Sequence, residues 1–128
     1  MNVDQMELVL DHYKNPRNSG TLSNADFSHE EGIPSCGDKI RIDIKVSDDK
    51  IVEAKFCGKG CAISQAAASI LTEMIQGMDL NSIKDMDGQQ FLETLGVNIS
   101  PIRYKCALLA LKVLKTGVFG DNSFEYEH

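Results

Sequence analysis

The chain is 128 residues long, with a mass of 14.1 kDa, and is expected to be a single domain over residues 1–128. Hydrophobic residues make up 42% and charged residues 25%, the balance of an ordinary soluble globular protein. With 13 Lys+Arg against 19 Asp+Glu the net charge is −6; this argues against a general nucleic-acid binder, which needs clustered cations, and no apolar run approaches the roughly 20 residues of a membrane helix.

The N-terminal stretch MNVDQMELVLDHY has early acidic residues and no small-residue cleavage site. It does not read as a secretory signal, so a cytoplasmic location is expected. Residues 4–14 read as a short amphipathic helix. Asp4 and Glu7 have capping-box spacing, and Met6, Val9, Leu10 and Tyr13 form the apolar stripe. Pro16 and Gly20 end it.

Sheet follows. A strand is expected around residues 25–30. Residues 39–46, KIRIDIKV, alternate strictly, with Ile40, Ile42, Ile44 and Val46 on a core face and Lys39, Arg41, Asp43 and Lys45 on a polar one. A polar turn over residues 47–50 leads to a returning strand through Val52, Ala54 and Phe56. From Cys61 the period becomes helical, with Ile63, Ala67, Ile70, Met74 and Met78 on one stripe. Asp79 can cap a short helix to about Met86, and Asp87 with Gln90 resembles a second capping box. Ser100 followed by Pro101 marks the start of a last helix, largely buried, running to about Lys115 and ending at Gly117. Strands first and helices after predict an α+β domain, with helices packed on one sheet face.

The cysteines are Cys36, Cys57, Cys61 and Cys106. In a reducing compartment scattered cysteines more often bind metal or react as thiols than form disulfides. Cys36 and Asp38 lie two apart in a Pro/Gly-marked loop before the first clear strand, a thiolate and a carboxylate able to share a metal. A simple turn cysteine would fit there equally well. Cys61 follows Gly58-Lys59-Gly60 at a strand-to-helix junction, where unpaired backbone N–H groups and the helix dipole favour a thiolate. Cys106 sits in the last helix beside Lys105 and is by itself compatible with a core position. Cys57 and Cys61 form a lone C-x3-C pair; alternation points Cys57 away from the core, as a bystander or modulating thiol. His12, His29 and His128 have no partner at metal-ligand spacing, and no nucleophile–histidine arrangement is visible.

Taken in order, 11–18 (DHYKNPRN), Cys36-Gly37-Asp38, 60–64 (GCAIS) and Lys105-Cys106 resemble the IscU-type iron–sulfur cluster assembly scaffolds, also found as the N-terminal module of NifU and in SufU. The resemblance covers nearly the whole chain. It implies a three-stranded antiparallel sheet with helices on one face, an IscU/SufE-like fold. It implies that Cys36, Asp38, Cys61 and Cys106 converge to hold a transient [2Fe–2S] cluster, the carboxylate making that cluster easier to release. The implied partners are a cysteine desulfurase of the IscS/NifS type, delivering persulfide sulfur onto Cys106 or Cys36, and apo iron–sulfur acceptor proteins. A cluster shared by two chains as a homodimer is compatible with this. A scaffold of this kind is not an enzyme.

The chain departs from the pattern in places. Lys105 stands where IscU members usually carry His, as in SufU-like members, yet the interval from Cys61 to Cys106 leaves no room for the SufU insertion. The Leu-Pro-Pro-Val-Lys chaperone motif appears only as residues 99–103, ISPIR, so dependence on a dedicated Hsp70-type chaperone is not expected. Two other readings compete. One is a zinc-bound persulfide acceptor using the same four residues around Zn²⁺. The other is a thiol redox protein using Cys57 and Cys61, which lacks the C-x-x-C motif.

Overall fold

The computed structural model describes residues 3–34, 37–96 and 101–120, the side chains of residues 3–6 and 102 excepted. In chain order the elements are α1 (Val3–Lys14), β1 (Phe27–Ile33), β2 (Asp38–Ser47), β3 (Lys50–Lys59), α2 (Ala62–Ile75), α3 (Leu80–Asp85), α4 (Gly88–Leu95) and α5 (Tyr104–Phe119), α5 being preceded by one 3₁₀ turn at Pro101–Arg103. The strands form one antiparallel sheet in the order β1-β2-β3. This is the expected α+β arrangement.

The β2–β3 hairpin follows from its turn. Ser47 pairs with Lys50, and the two residues between them, Asp48 and Asp49, have φ of +53° and +62°. Positive φ at both central positions defines a type I′ turn, whose twist matches that of the strands, and Asp tolerates it better than most residues. The isoleucines of β2 (Ile40, Ile42, Ile44) and Ile51, Ala54 and Phe56 of β3 are buried on one face. Against that face lie α2 and α5, whose Ala66, Ala67 and Leu71 and whose Leu108, Leu111 and Leu114 are all at most 1% exposed. Burying each such Leu or Ile side chain contributes about 1.5–3 kcal/mol. The alanines of α2 let its backbone approach the sheet closely.

Both local caps form as expected. The Asp79 carboxylate accepts the Ser82 N–H (2.9 Å) at the start of α3, and Asp87 accepts the Gln90 N–H (2.7 Å) at the start of α4. The expected N-cap Ser100 lies outside the described residues. The Asp4 side chain does too, and α1 starts at Val3, so Asp4 falls inside its first turn.

Four expectations need correction. The strand expected over 25–30 runs from Phe27 to Ile33. On α1, Val9 is buried but Leu10 and Tyr13 are exposed, and it is His12, 3% exposed, that faces α2. His12 Nδ1 lies 2.7 Å from the Ser69 Oγ, which also accepts the Arg17 N–H at 2.9 Å. A polar partner on α2 thus outweighs the apolar stripe in setting the rotation of α1. Asp43, placed on the polar strand face, is only 1% exposed. The chain after α1 runs along the free edge of β3, with bonds between Asn18, Gly20 and Phe56, and then crosses over Asp43. There Leu22 N–H (2.9 Å), Ser28 Oγ (2.5 Å) and Arg41 Nε (2.9 Å) all donate to its carboxylate. Burial opposes ionisation of Asp43, but these bonds together outweigh it and hold its carboxyl below the ordinary range. Finally, α5 passes through Gly117 and ends at Gly120, which caps it at φ +67° with its N–H on the Thr116 carbonyl. Gly117 is a close-approach residue: a Cβ there would lie 2.7 Å from the His29 Cβ on β1.

Candidate metal centre

Asp38, Cys61 and Cys106 come from three different elements. Asp38 opens β2, paired with Ile33 across β1. Cys61 is the N-cap residue of α2, directly after β3. Cys106 is the third residue of α5. Each offers a ligand atom, and the three atoms lie within 4.8 Å of one another. Cys36, the fourth expected ligand, lies outside the described residues.

The junction before α2 depends on Gly60. Its φ is +151°, a region L side chains rarely adopt. A Cβ there would lie 2.4 Å from Asp38 Oδ1 and 2.7 Å from both Asp38 Cγ and Ser64 Oγ. The missing side chain is what lets the Asp38 carboxylate, 3% exposed, reach the start of α2. There its Oδ1 accepts the Cys61 N–H at 3.0 Å, and its Oδ2 lies 3.6 Å from Cys61 Sγ. An anionic side chain at a helix N-terminus is also favoured by the helix dipole. Sequence reasoning assigned the free N–H groups of this junction to a thiolate; the N–H of Cys61 is instead taken by Asp38.

Sequence reasoning also missed Ser64. It is fully buried, donates from Oγ to the Cys61 carbonyl (3.1 Å) and lies 3.8 Å from Cys61 Sγ. Its i+3 spacing from Cys61 was the available signal.

The Cys106 thiol is pushed well above its ordinary range, first by burial and then by the neighbouring Asp38 and Cys61. Three groups that become anionic on losing a proton are gathered within 4.8 Å of one another. A bound cation reverses that logic, because a coordinating thiol is deprotonated outright. The spacing fits such an ion. For tetrahedral zinc, bonds of about 2.3 Å to sulfur and 2.0 Å to oxygen place the two ligand atoms about 3.5 Å apart. The Cys61–Asp38 separation is 3.6 Å.

Cys57 is half-buried, opposite Arg41 in the β2–β3 register, and is not part of this group. His29 Nε2 lies 2.8 Å from Glu31 Oε2, and His12 is committed to Ser69. Among the described residues no helix is long and apolar enough to cross a membrane.

The fold has known counterparts. The family model described as the NifU-like N terminal domain matches residues 4–124. The chain is 37% identical to the zinc-dependent sulfurtransferase SufU of Bacillus subtilis, covering 91% of this chain and 92% of SufU. That alignment spans 136 positions, more than this chain has residues, so SufU carries residues that this chain lacks. It is 34% identical to the iron–sulfur cluster assembly scaffold protein IscU of Escherichia coli K12, covering 88% of this chain and 89% of IscU. A crystal structure assigned as a SUF-system iron–sulfur cluster assembly scaffold from Fervidobacterium islandicum superposes with a TM-score of 0.73 at 31% identity, covering 87% of this chain and 93% of that one. The N-terminal NifU-like protein of Brucella abortus shares the fold, with a TM-score of 0.74 at 16% identity over 91% of this chain and 94% of that one. The chain belongs to the NifU-like N-terminal domain family, whose members include proteins named IscU and SufU.

Proposed function

We propose that this chain is a single-domain, non-enzymatic scaffold on which a labile [2Fe–2S] cluster is built and then passed to apo-proteins. The observation that carries the reading is the meeting of Asp38, Cys61 and Cys106 within 4.8 Å, with Cys36 as the fourth ligand. A cysteine desulfurase supplies sulfur as a cysteine persulfide on Cys106 or Cys36. Two electrons from a reductant convert each transferred sulfur to sulfide and restore the thiol, and iron joins it. Three thiolates and one carboxylate then hold the cargo. The carboxylate is the harder, more exchangeable ligand, which suits a cluster that must leave. The reading places the chain in the cytoplasm, where cysteines stay reduced. That SufU carries residues this chain lacks supports the IscU-like side of the family.

A second reading has its own support. SufU is named a zinc-dependent sulfurtransferase, Lys105 precedes the last cysteine, and the Cys61–Asp38 spacing suits zinc. In that reading Cys36, Asp38, Cys61 and Cys106 hold Zn²⁺, and a released cysteine accepts the persulfide.

Iron and acid-labile sulfide per chain, after anaerobic incubation with a desulfurase, cysteine, ferrous iron and a reductant, separate the two. Stoichiometric iron and sulfide, lost when Cys36, Cys61 or Cys106 is replaced, are expected of the scaffold. Tightly held zinc with persulfide and no cluster would overturn it in favour of the acceptor.

A further inference from the structure

Every ligand in the metal group has a lysine within two positions in the chain, Lys39 and Lys59 sharing the outer sheet face, opposite the one that α2 and α5 cover, at the end where Asp38 sits. Lys39 follows Asp38, Lys59 precedes Cys61 by two residues, and Lys105 precedes Cys106. All three are exposed, as is Arg103 at the start of α5. Lys39 and Lys59 stand directly opposite each other on β2 and β3, a like-charge pairing that costs stability and that a sheet normally avoids. Only Lys39 is partly relieved, by Glu30 at 3.8 Å on the exposed face; Lys59 and Lys105 have no ion pair among the described residues. The two strand lysines also border a recess of about 270 Å³ that reaches Asp38 and Gly32.

The chain as a whole has the opposite sign. The chain carries −6 overall, and at the far end of the hairpin the turn residues Asp48 and Asp49 sit beside Asp79, which bridges to Lys50. Ten-residue strands separate the two ends, about 30 Å at the usual rise per residue. The two ends of the hairpin therefore carry lysines and aspartates respectively: Lys39 and Lys59 near Asp38, and Asp48, Asp49 and Asp79 at the turn.

We propose that this basic rim is a docking surface for an acidic partner protein, one presenting a patch of Asp and Glu side chains around its own acceptor cysteines. This rests on the proposed exchange of cargo with other proteins. Two acidic proteins repel at a distance. A positive rim at the exchange site turns that field into orientation, bringing the partner's carboxylates onto Lys39, Lys59 and Lys105 and so its cysteines over the cargo.

The test uses a twelve-residue peptide, (Asp-Gly-Glu)₄, titrated into ¹⁵N-labelled metal-free protein at about 50 mM salt. Amide shifts are expected to concentrate around Lys39, Lys59 and Lys105. Binding should weaken about tenfold in the triple variant Lys39→Gln, Lys59→Gln, Lys105→Gln. It should also be lost near 500 mM salt, where the screening length falls well below 10 Å. All three positions are exposed, so the variant is expected to fold, and its unperturbed spectrum checks this. Shifts spread over the whole surface, undiminished binding by the variant, or equal affinity for a single-stranded oligonucleotide of the same charge would each overturn the proposal. Rim shifts that appear on concentrating the protein without peptide would overturn it in favour of self-association. Because the titration needs no metal, it decides the rim independently. A chain that binds the peptide at the rim but assembles no cluster refutes the scaffold reading and not this one.

Discussion

Gly60→Ala isolates the close approach on which the metal centre is built. Two costs follow from the geometry. The backbone at φ +151° becomes strained once a Cβ is present, at about 1–3 kcal/mol. The Cβ would also occupy the space of the Asp38 carboxylate, 2.4 Å from Oδ1. The carboxylate must move, and its 3.0 Å bond from the Cys61 N–H is lost. A hydrogen bond to a charged group contributes about 1.5–3 kcal/mol. Together the loss is about 2.5–6 kcal/mol, which for a chain of this size lowers Tm by at least about 8 °C. The assay is thermal unfolding of metal-free protein followed by circular dichroism, with zinc affinity from chelator competition. A double-mutant cycle with Asp38→Ala locates the cause. Without the Asp38 carboxylate the same glycine substitution should cost at least about 1 kcal/mol less. Strict additivity, or a Gly60→Ala protein with unchanged Tm and zinc affinity, would refute the reasoning.

Three further outcomes are expected. Gly117→Ala should lower stability by about 1–2 kcal/mol in urea unfolding, because overpacking against the His29 Cβ at 2.7 Å exceeds the gain in helix propensity; a stabilised variant would show that α5 does not lie that close to β1. The buried His12 has its pKa lowered by desolvation and then by Arg17, opposed by Glu73 and Asp11, so the fold favours the neutral ring. That contribution is complete above about pH 6.5 and is lost as pH falls through the lowered folded-state value. The urea midpoint should therefore fall between pH 7.5 and 5 more steeply in the wild type than in His12→Gln, and parallel profiles would remove His12 as the cause. Under the scaffold reading, Asp38→Ala should lengthen the half-life of an assembled cluster and slow its transfer to an apo-acceptor; an unchanged half-life would defeat the lability argument.

Much of the fold was legible because its determinants are local. The alternation of Ile40, Ile42 and Ile44 sets one face of β2 whatever lies above it, since successive side chains point to opposite sides. Asp79 and Asp87 cap their helices through residues three positions on. The run of motifs through Cys61 and Cys106 already resembled a cluster scaffold. What escaped the sequence depends on contacts between distant segments. Asp43 looks like a surface residue on a polar strand face, and becomes buried only because residues 18–22 are drawn across it by hydrogen bonds. His12 turns inward because Ser69, on another helix, offers it a partner.

The family resemblance carried by the motifs implies that Cys36, Asp38, Cys61 and Cys106 act together on a metal, while residue by residue a turn or core role fits as well, and nothing local brings β2, α2 and α5 to one point. That meeting is decided by the packing of two helices on a three-stranded sheet, and at one position by the absence of a side chain at Gly60. The sign of the surface around the centre is likewise tertiary. The sequence fixes a net charge, and only the strand register sets Lys39 against Lys59, because charges far apart along the chain add their fields only where the fold brings them side by side.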